Sequence, residues 1–385
     1  MAVSEQEEVL DFVHTGSDTL AGRYLRSFWH PFYRSEDLLP GSAVPIKVLG
    51  EDFTLYRGED GIAQVVAFRC AHRGTQLSVG WVEGNCIRCR YHGWKYDRSG
   101  QCVEQPGEDD AFAQKVRLRS YPTEEYLGLI FAYFGEGDPP PLRRYPEFHA
   151  PGLMITDPVH LWPCNYFNIG ENDNFHVVYT HRATALRMEP DAPVTFPPPS
   201  GARETSYGYT TTTPEDPRGA HYHLPNVSQI RIKTKQYYPL PLTEDRLFWH
   251  VPVDDTHSLR ISTNLVHLSG ADADEVRQKR KAAEDIDPAV LYAVAEDVLA
   301  GKTSIEELGE RFTYYQQFYI EDYVTEVGQG AIADRQAEHL WGRDIQLVVK
   351  RRIFQRELKA IAEGRPLTQW EEGPMWPPYE PGEPG

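Results

Sequence analysis

Residues 86–94 read C-I-R-C-R-Y-H-G-W, and the assignment of their donor atoms decides what kind of domain surrounds them. Cys86 and Cys89 form a C-x-x-C, the usual half of a zinc knuckle or of a four-cysteine cluster. Yet His92 follows Cys89 by three residues, and upstream Cys70-Ala71-His72 supplies a second Cys and His. Either Cys86 is a ligand and the histidines are bystanders, or the histidines are ligands and Cys86 is not.

In chain order the candidates are Cys70-x-His72, sixteen intervening residues, and Cys89-x-x-His92. A structural zinc finger normally draws two cysteines from one knuckle and two histidines from the other. Here each knuckle offers one of each, the supply needed by an iron–sulfur centre with two thiolates on one iron and two imidazoles on the other. Gly74 and Gly93 stand just past each histidine, where the backbone must turn tightly. An all-thiolate site from Cys70, Cys86, Cys89 and Cys102, or a mixed zinc site, is the alternative.

The stretches C-A-H-R-G-T-Q-L-S-V-G and C-R-Y-H-G-W resemble the Rieske domain of ring-hydroxylating oxygenases, phthalate dioxygenase-like or aryl ether O-demethylase-like. Arg90 stands where that family usually has Pro. The resemblance implies a [2Fe-2S] Rieske cluster on Cys70, His72, Cys89 and His92, with Cys86 a bystander on the approaching strand. Two imidazole ligands raise the potential into the range of roughly −150 to +300 mV.

Such a cluster moves single electrons, so the chain needs a site for it to feed. Residues 170–181 read G-E-N-D-N-F-H-V-V-Y-T-H. His176 and His181 are five apart, about 140° on an ideal helix, and converge on one ion only if the helix bulges or ends between them. Asp173 lies three residues before His176, on the same helical face, where it can hold the second imidazole nitrogen. The run matches the D-x-x-H-x-x-x-x-H segment of the same family. The resemblance implies that His176 and His181 bind mononuclear Fe(II) and that Asp173 bridges to a neighbouring subunit's cluster, with Glu171 a second candidate. The segment 318–340 resembles the C-terminal region of phthalate-type and O-demethylating members, and Asp322 aligns with their carboxylate ligand, Glu321 being adjacent. Asp334-Arg335 and Glu338-His339 read as ion pairs at a helix start. Two histidines and one carboxylate leave positions open for oxygen and substrate.

The expected fold is α+β: a small antiparallel β Rieske domain over 30–140, then a helix-grip type catalytic domain, an antiparallel sheet packed on helices, over 141–372. Residues 1–29 form an N-terminal segment and 373–385 a Pro-rich tail. Segments 43–49, 53–57, 63–68, 128–135, 229–238, 246–253 and 259–268 read as strands. Segments 274–300 and 344–363 have helical spacing. Proline-rich stretches at 137–146 and 190–200 mark a linker and a loop.

The formal charge of −18 argues against nucleic acid as a partner, and five cysteines, an odd number, argue against a disulfide framework. No apolar run reaches the roughly 18–20 residues of a membrane span, and the acidic start lacks the look of a signal peptide, so a cytoplasmic location is expected. By resemblance the partners are an NAD(P)H-dependent reductase, with or without a ferredoxin, O2, an aromatic substrate, and further copies of the chain in a homotrimer or stacked hexamer. The implied reaction is hydroxylation of the aromatic substrate, with oxidative O- or N-demethylation as the alternative. Tyr179, Phe196, Tyr237, Phe248 and Trp249 are candidate pocket aromatics, and Arg187 and Arg231 are cations able to meet a carboxylate. A bare electron carrier and a zinc-stabilised interaction protein are the rival classes; the His176–His181 motif speaks against the first.

Overall fold

The computed structural model describes residues 9–107, 110–172, 181–183, 201–212, 219–234, 242–284, 287–342 and 344–373. Asp173, His176, Tyr179, Arg187, Phe196, Tyr237, the stretch 190–200 and the tail beyond Gly373 lie outside the described residues.

Three small antiparallel sheets occupy the first part of the chain. The alternation in A-V-P-I-K-V and F-T-L-Y-R produces a hairpin of Ala43–Val48 and Glu51–Arg57, extended by Ala63–Ala67 and Ser120–Tyr121. Its two-residue turn, Leu49-Gly50, has positive φ at both positions, 53° and 80°, the mirror-image turn that matches strand twist. The turn amides donate to the Pro252 and Val253 carbonyls at 2.8 Å each, tying this hairpin to the second sheet system. A second sheet joins Trp81–Glu83, Cys86–Arg88, Lys95–Tyr96 and Cys102–Glu104, so Cys86 and Cys102 sit on strands while Cys70 and Cys89 sit in loops. The third pairs Leu129–Tyr133 with Trp29–Arg34 and Thr123–Tyr126.

The rest is built on one eight-stranded antiparallel sheet. Its order runs Leu153–Thr156, His257–Val266, Leu242–Asp254, Val227–Thr234, Ala220–His223, Gly208–Thr212, Gly201–Glu204, with His160–Trp162 also paired to His257–Val266. Leu247 and Trp249 point to the main core, and Phe248 between them to the opposite face, as the two-residue period requires.

Helices α1 (Leu20–Arg26), α2 (Tyr166–Gly170), α3 (Gly270–Glu284), α4 (Pro288–Leu299), α5 (Tyr314–Val327) and α6 (Ile345–Ala362) pack around these sheets. The helical spacing over 274–300 is realised as two helices, α3 and α4. Pro288 opens α4 at a position where a missing amide costs nothing, and the Asp287 side chain caps it by accepting from the Ala289 amide. The residues 334–339 form no helix start, contrary to expectation. Arg335 pairs with Glu171, and Glu338 with Arg351, so the ion pairs reach across the fold and not along one turn.

α5 begins with a capping box: the Thr313 hydroxyl accepts from the Gln316 amide, and the Gln316 side chain accepts from the Thr313 amide. Its buried face carries Ile320 and Tyr323 together with Glu321, Asp322 and Glu326. Three buried carboxylates on one helix are costly unless each is partnered or protonated, so this face needs partners from the rest of the fold.

Candidate active site and metal centres

The two knuckles are built alike. The Gly74 amide donates to the Cys70 carbonyl at 2.9 Å, and the Gly93 amide to the Cys89 carbonyl at 3.0 Å. The Cys70 amide donates to Thr75, and the Cys89 amide to Trp94, each at 2.8 Å. Gly74 and Gly93 share a φ of 75°, a left-handed conformation that a Cβ would strain. At the tips, Cys70 and Cys89 are buried beside one another, while His72 and His92 are exposed with ring centroids 4.6 Å apart. Two thiols inside and two imidazoles at the surface form a donor set that suits the mixed-ligand iron–sulfur group. Cys86 is half-buried on its strand and Cys102 is buried on another.

Tyr96 adds a contact the sequence did not announce: its hydroxyl lies 3.2 Å from the Cys70 sulfur. Burial and the neighbouring Cys70 thiol push the Tyr96 phenol well above its ordinary value, so it remains a donor. Arg90, in the position where Pro is usual, has its guanidinium 4.4 Å from the Trp81 ring centroid, a cation–π contact that a proline cannot make.

The second centre lies between α5 and the strand His257–Val266. The His181 imidazole is buried and gripped on both edges: Nδ1 is 3.0 Å from Glu321 Oε2, and Nε2 is 3.0 Å from Asp322 Oδ1. Phe318 stacks on its face at 3.3 Å between centroids. Burial disfavours the imidazolium, but Asp322 and then Glu321 outweigh it, raising the His181 pKa. Asp322 Oδ2 accepts from Arg260 at 2.8 Å. Burial works against the Asp322 carboxylate, yet Arg260 and His181 hold it below the usual range. Glu326, one turn on, goes the other way: burial and the Asp322 charge push its carboxyl well above the usual range, and it accepts from the Asn172 side chain.

Nitrogen and oxygen ligands stand about 2.0–2.2 Å from a divalent first-row ion. At a right angle this puts the two donors about 3 Å apart, the spacing found between His181 Nε2 and Asp322 Oδ1. Glu321, on the far nitrogen, has the geometry of a carboxylate that fixes a ligand imidazole's tautomer and orientation.

Glu171, the second candidate for the bridge, is occupied elsewhere. Arg351 contacts it through Nε at 2.6 Å and Nη2 at 2.8 Å, and Arg335 Nε lies at 3.0 Å. Arg231 is likewise bound to Asp245, Nε to Oδ1 at 2.5 Å, away from the site. Of the candidate pocket aromatics, Phe248 lines a cavity of about 170 Å3 that reaches Asp322, while Trp249 is in the core. The sequence reading missed Arg246, Arg260 and Arg280 on this cavity. The signal for Arg260 was the run of acids Glu321, Asp322 and Glu326 on one helix, which calls for a cation nearby.

Residues 28–122 match the family model for the Rieske [2Fe-2S] domain. Over 373 residues the chain is 27% identical to the 5,5'-dehydrodivanillate O-demethylase oxygenase subunit of Sphingobium sp., covering 94% of this chain and 82% of that one. It is 26% identical to the phthalate 4,5-dioxygenase oxygenase subunit of Pseudomonas putida, covering 93% and 87%. The fold is that of the oxygenase in the reduced oxygenase–ferredoxin complex of carbazole 1,9a-dioxygenase, with a TM-score of 0.60 at 21% identity over 88% of this chain and 92% of that one. A Rieske domain carries a [2Fe-2S] cluster, and the oxygenase subunits of the family add a mononuclear iron. The chain carries a Rieske [2Fe-2S] domain and is similar along most of its length to the oxygenase subunits of Rieske systems.

Proposed function

We propose that the chain oxidises an aromatic substrate with O2 at an iron held by His176, His181 and Asp322. Electrons reach it from an NAD(P)H-dependent reductase, directly or through a ferredoxin, by way of a cluster on Cys70, His72, Cys89 and His92. The observation that carries this reading is the 3.0 Å edge between His181 Nε2 and Asp322 Oδ1, with Glu321 behind the imidazole. The iron supplies a site where O2 is reduced beside the substrate.

The protein's own groups do the rest. Glu321 accepts the Nδ1 proton and leaves Nε2 free as a donor to the metal. Arg260 holds Asp322 ionised and turned toward His181. Phe318, stacked on His181, covers one face of the ring and excludes water from it. Asp173 bridges to the cluster of a neighbouring subunit, which requires an oligomer, a homotrimer or stacked hexamer, in the cytoplasm. Residues 30–140 form the electron-entry half and 141–372 the oxidising half.

Hydroxylation is the main reading. Oxidative O-demethylation is the second, favoured by the relative that aligns over 94% of this chain and is named for that reaction.

The test is to purify the protein without oxygen, reduce it with dithionite, and combine EPR with metal analysis. A Rieske-type signal with about three irons per chain is expected. Zinc without a signal, or a four-cysteine ferredoxin signal, would overturn the reading.

A further inference from the structure

A connected run of phenol and indole rings starts on the cavity beside Asp322 and ends at an exposed carboxylate. Tyr319 and Asp322 both line the cavity, one turn apart on α5. The Tyr319 ring lies 5.3 Å from Trp162 and 6.1 Å from Tyr292, centroid to centroid. Tyr323, buried one turn further along the helix from Tyr319, lies 5.3 Å from Trp162 and 5.4 Å from Tyr292. Tyr319 and Tyr323 are thus joined through Trp162 and through Tyr292. Each step falls in the range of about 4.5–7 Å at which aromatic rings touch. Electron transfer falls steeply with distance, so contact of this kind is what a relay needs. At the far end the Tyr323 hydroxyl donates to Glu296 Oε1 at 2.8 Å, and Glu296, on α4, is exposed.

Phenylalanine would serve packing alone at these positions. Here the polar atoms are joined as well. Trp162 Nε1 donates to the Tyr319 oxygen at 2.6 Å, which leaves the Tyr319 hydrogen for the Tyr292 oxygen at 3.3 Å. The Tyr292 hydroxyl in turn meets His160 Nδ1 at 3.1 Å. Charge is graded along the run. The Arg260 guanidinium stands 5.3 Å from the Trp162 centroid and 5.8 Å from that of Tyr319. A cation over a ring makes its electrons harder to remove, and a divalent ion held by Asp322 would add to that effect. Tyr323 has instead a carboxylate on its hydroxyl, which favours loss of an electron together with the proton. A vacancy made at the cavity is therefore drawn outward to Tyr323.

We propose that Tyr319, Trp162, Tyr292 and Tyr323 form a relay that carries oxidising equivalents from the iron to the surface when O2 is reduced with no substrate to attack. This rests on the proposed oxygenase function and adds a further one, protection of its own site. In each passage the oxidant left at the iron gains one electron, supplied by Tyr323 through Trp162 or Tyr292 and then Tyr319. The Tyr323 phenolic proton moves to Glu296, leaving a neutral tyrosyl radical. A solvent reductant of the thiol or ascorbate class returns the electron, and Glu296 returns the proton. His181 and Phe318, stacked on one another beside Asp322, are thereby spared oxidation.

The test mixes the iron-loaded protein, its cluster oxidised, with hydrogen peroxide, which is O2 already reduced by two electrons. The mixture is frozen rapidly for EPR. The wild type is expected to give a narrow radical signal whose splitting changes when the protein is made with ring-deuterated tyrosine. Tyr323→Phe should lose most of that signal. Glu296→Gln, at an exposed position, should lower the yield at least about tenfold, a modest share of what a positioned proton acceptor contributes. In both variants mass spectrometry should find more oxygen added to His181 and Phe318 than in the wild type after the same dose of peroxide. No tyrosyl radical in the wild type, or an undiminished yield in either variant, overturns the relay. Iron content and the dithionite-reduced EPR spectrum of the same samples separate the two levels. With full iron and a Rieske signal present, a missing radical removes the relay alone; without them the oxygenase reading falls and the relay with it.

Discussion

The imidazole of His181 faces the carboxylate of Asp322 at 3.0 Å, from a different element of the fold and far along the chain. That edge is the part of the proposed iron centre that lies among the described residues. Asp322→Asn removes the anionic donor while keeping its shape. The variant should retain the Rieske EPR signal, lose one iron equivalent per chain, and turn over at background rate. Full iron content in Asp322→Asn would move the third ligand elsewhere.

Glu321 acts through His181. Glu321→Gln should weaken iron retention about 10- to 100-fold, the usual effect of removing the partner of a ligating histidine. Competition with a chelator reads this directly, with the cluster signal as the internal control. Iron affinity equal to wild type would leave Glu321 a packing residue only.

The Tyr96 hydroxyl lies 3.2 Å from the Cys70 sulfur, and with Cys70 held as a thiolate ligand the hydroxyl is the donor. A hydrogen bond to a cluster sulfur favours the more negative, reduced state. If it is worth about 1 kcal/mol more in that state, Tyr96→Phe lowers the midpoint potential by about 40 mV. Redox titration by circular dichroism measures the shift, and an unchanged or raised potential contradicts it.

Glu171 and Asp173 should separate cleanly. Glu171 lies between two guanidiniums; Glu171→Gln takes the carboxylate from Arg335 while Arg351 keeps Glu338, and it should lower thermal stability with cluster-to-iron coupling intact. Asp173→Asn should leave both metals and the melting temperature in place and uncouple reduction from turnover. Rapid-mixing reoxidation kinetics on the two variants decide between them.

Acid should destabilise the protein through buried histidines. Burial lowers the pKa of His30 to about 4, of His160 to about 4 and of His223 to about 3. Each is neutral when folded but takes a proton near 6.5 when unfolded, so stability is full above about 6.5 and falls as pH drops toward 4. Each contributes up to about 1.4 kcal/mol per pH unit in that window. Urea midpoints at pH 7 and pH 5 test this, and His30→Gln should flatten the dependence.

The strand pattern was legible because half-buried strands alternate, and the segments at 43–49, 53–57, 63–68 and 246–253 appear with ends shifted by a few residues at most. The knuckles were legible because their donors are local, each Cys and His lying within one loop. The stretch 274–300 was legible as helical, and Asp287-Pro288 carries the mark of its division, since proline is tolerated at the first position of a helix and disrupts an interior.

By itself the sequence determined which side chains could serve as donors, since Cys-x-His and Cys-x-x-His are short-range and their glycines are required by the turn. It could not divide the labour between Glu321 and Asp322, which are adjacent in the chain and chemically similar. Only the packing of α5 against His181 sends one carboxylate to Nδ1 and the other to Nε2. Nor could it separate Arg231 from Arg246, both strand arginines of the same sheet. The tertiary structure decides that Arg231 turns to Asp245 on the neighbouring strand while Arg246, paired with Glu244, lines the cavity, because these placements depend on neighbours that the linear order does not name.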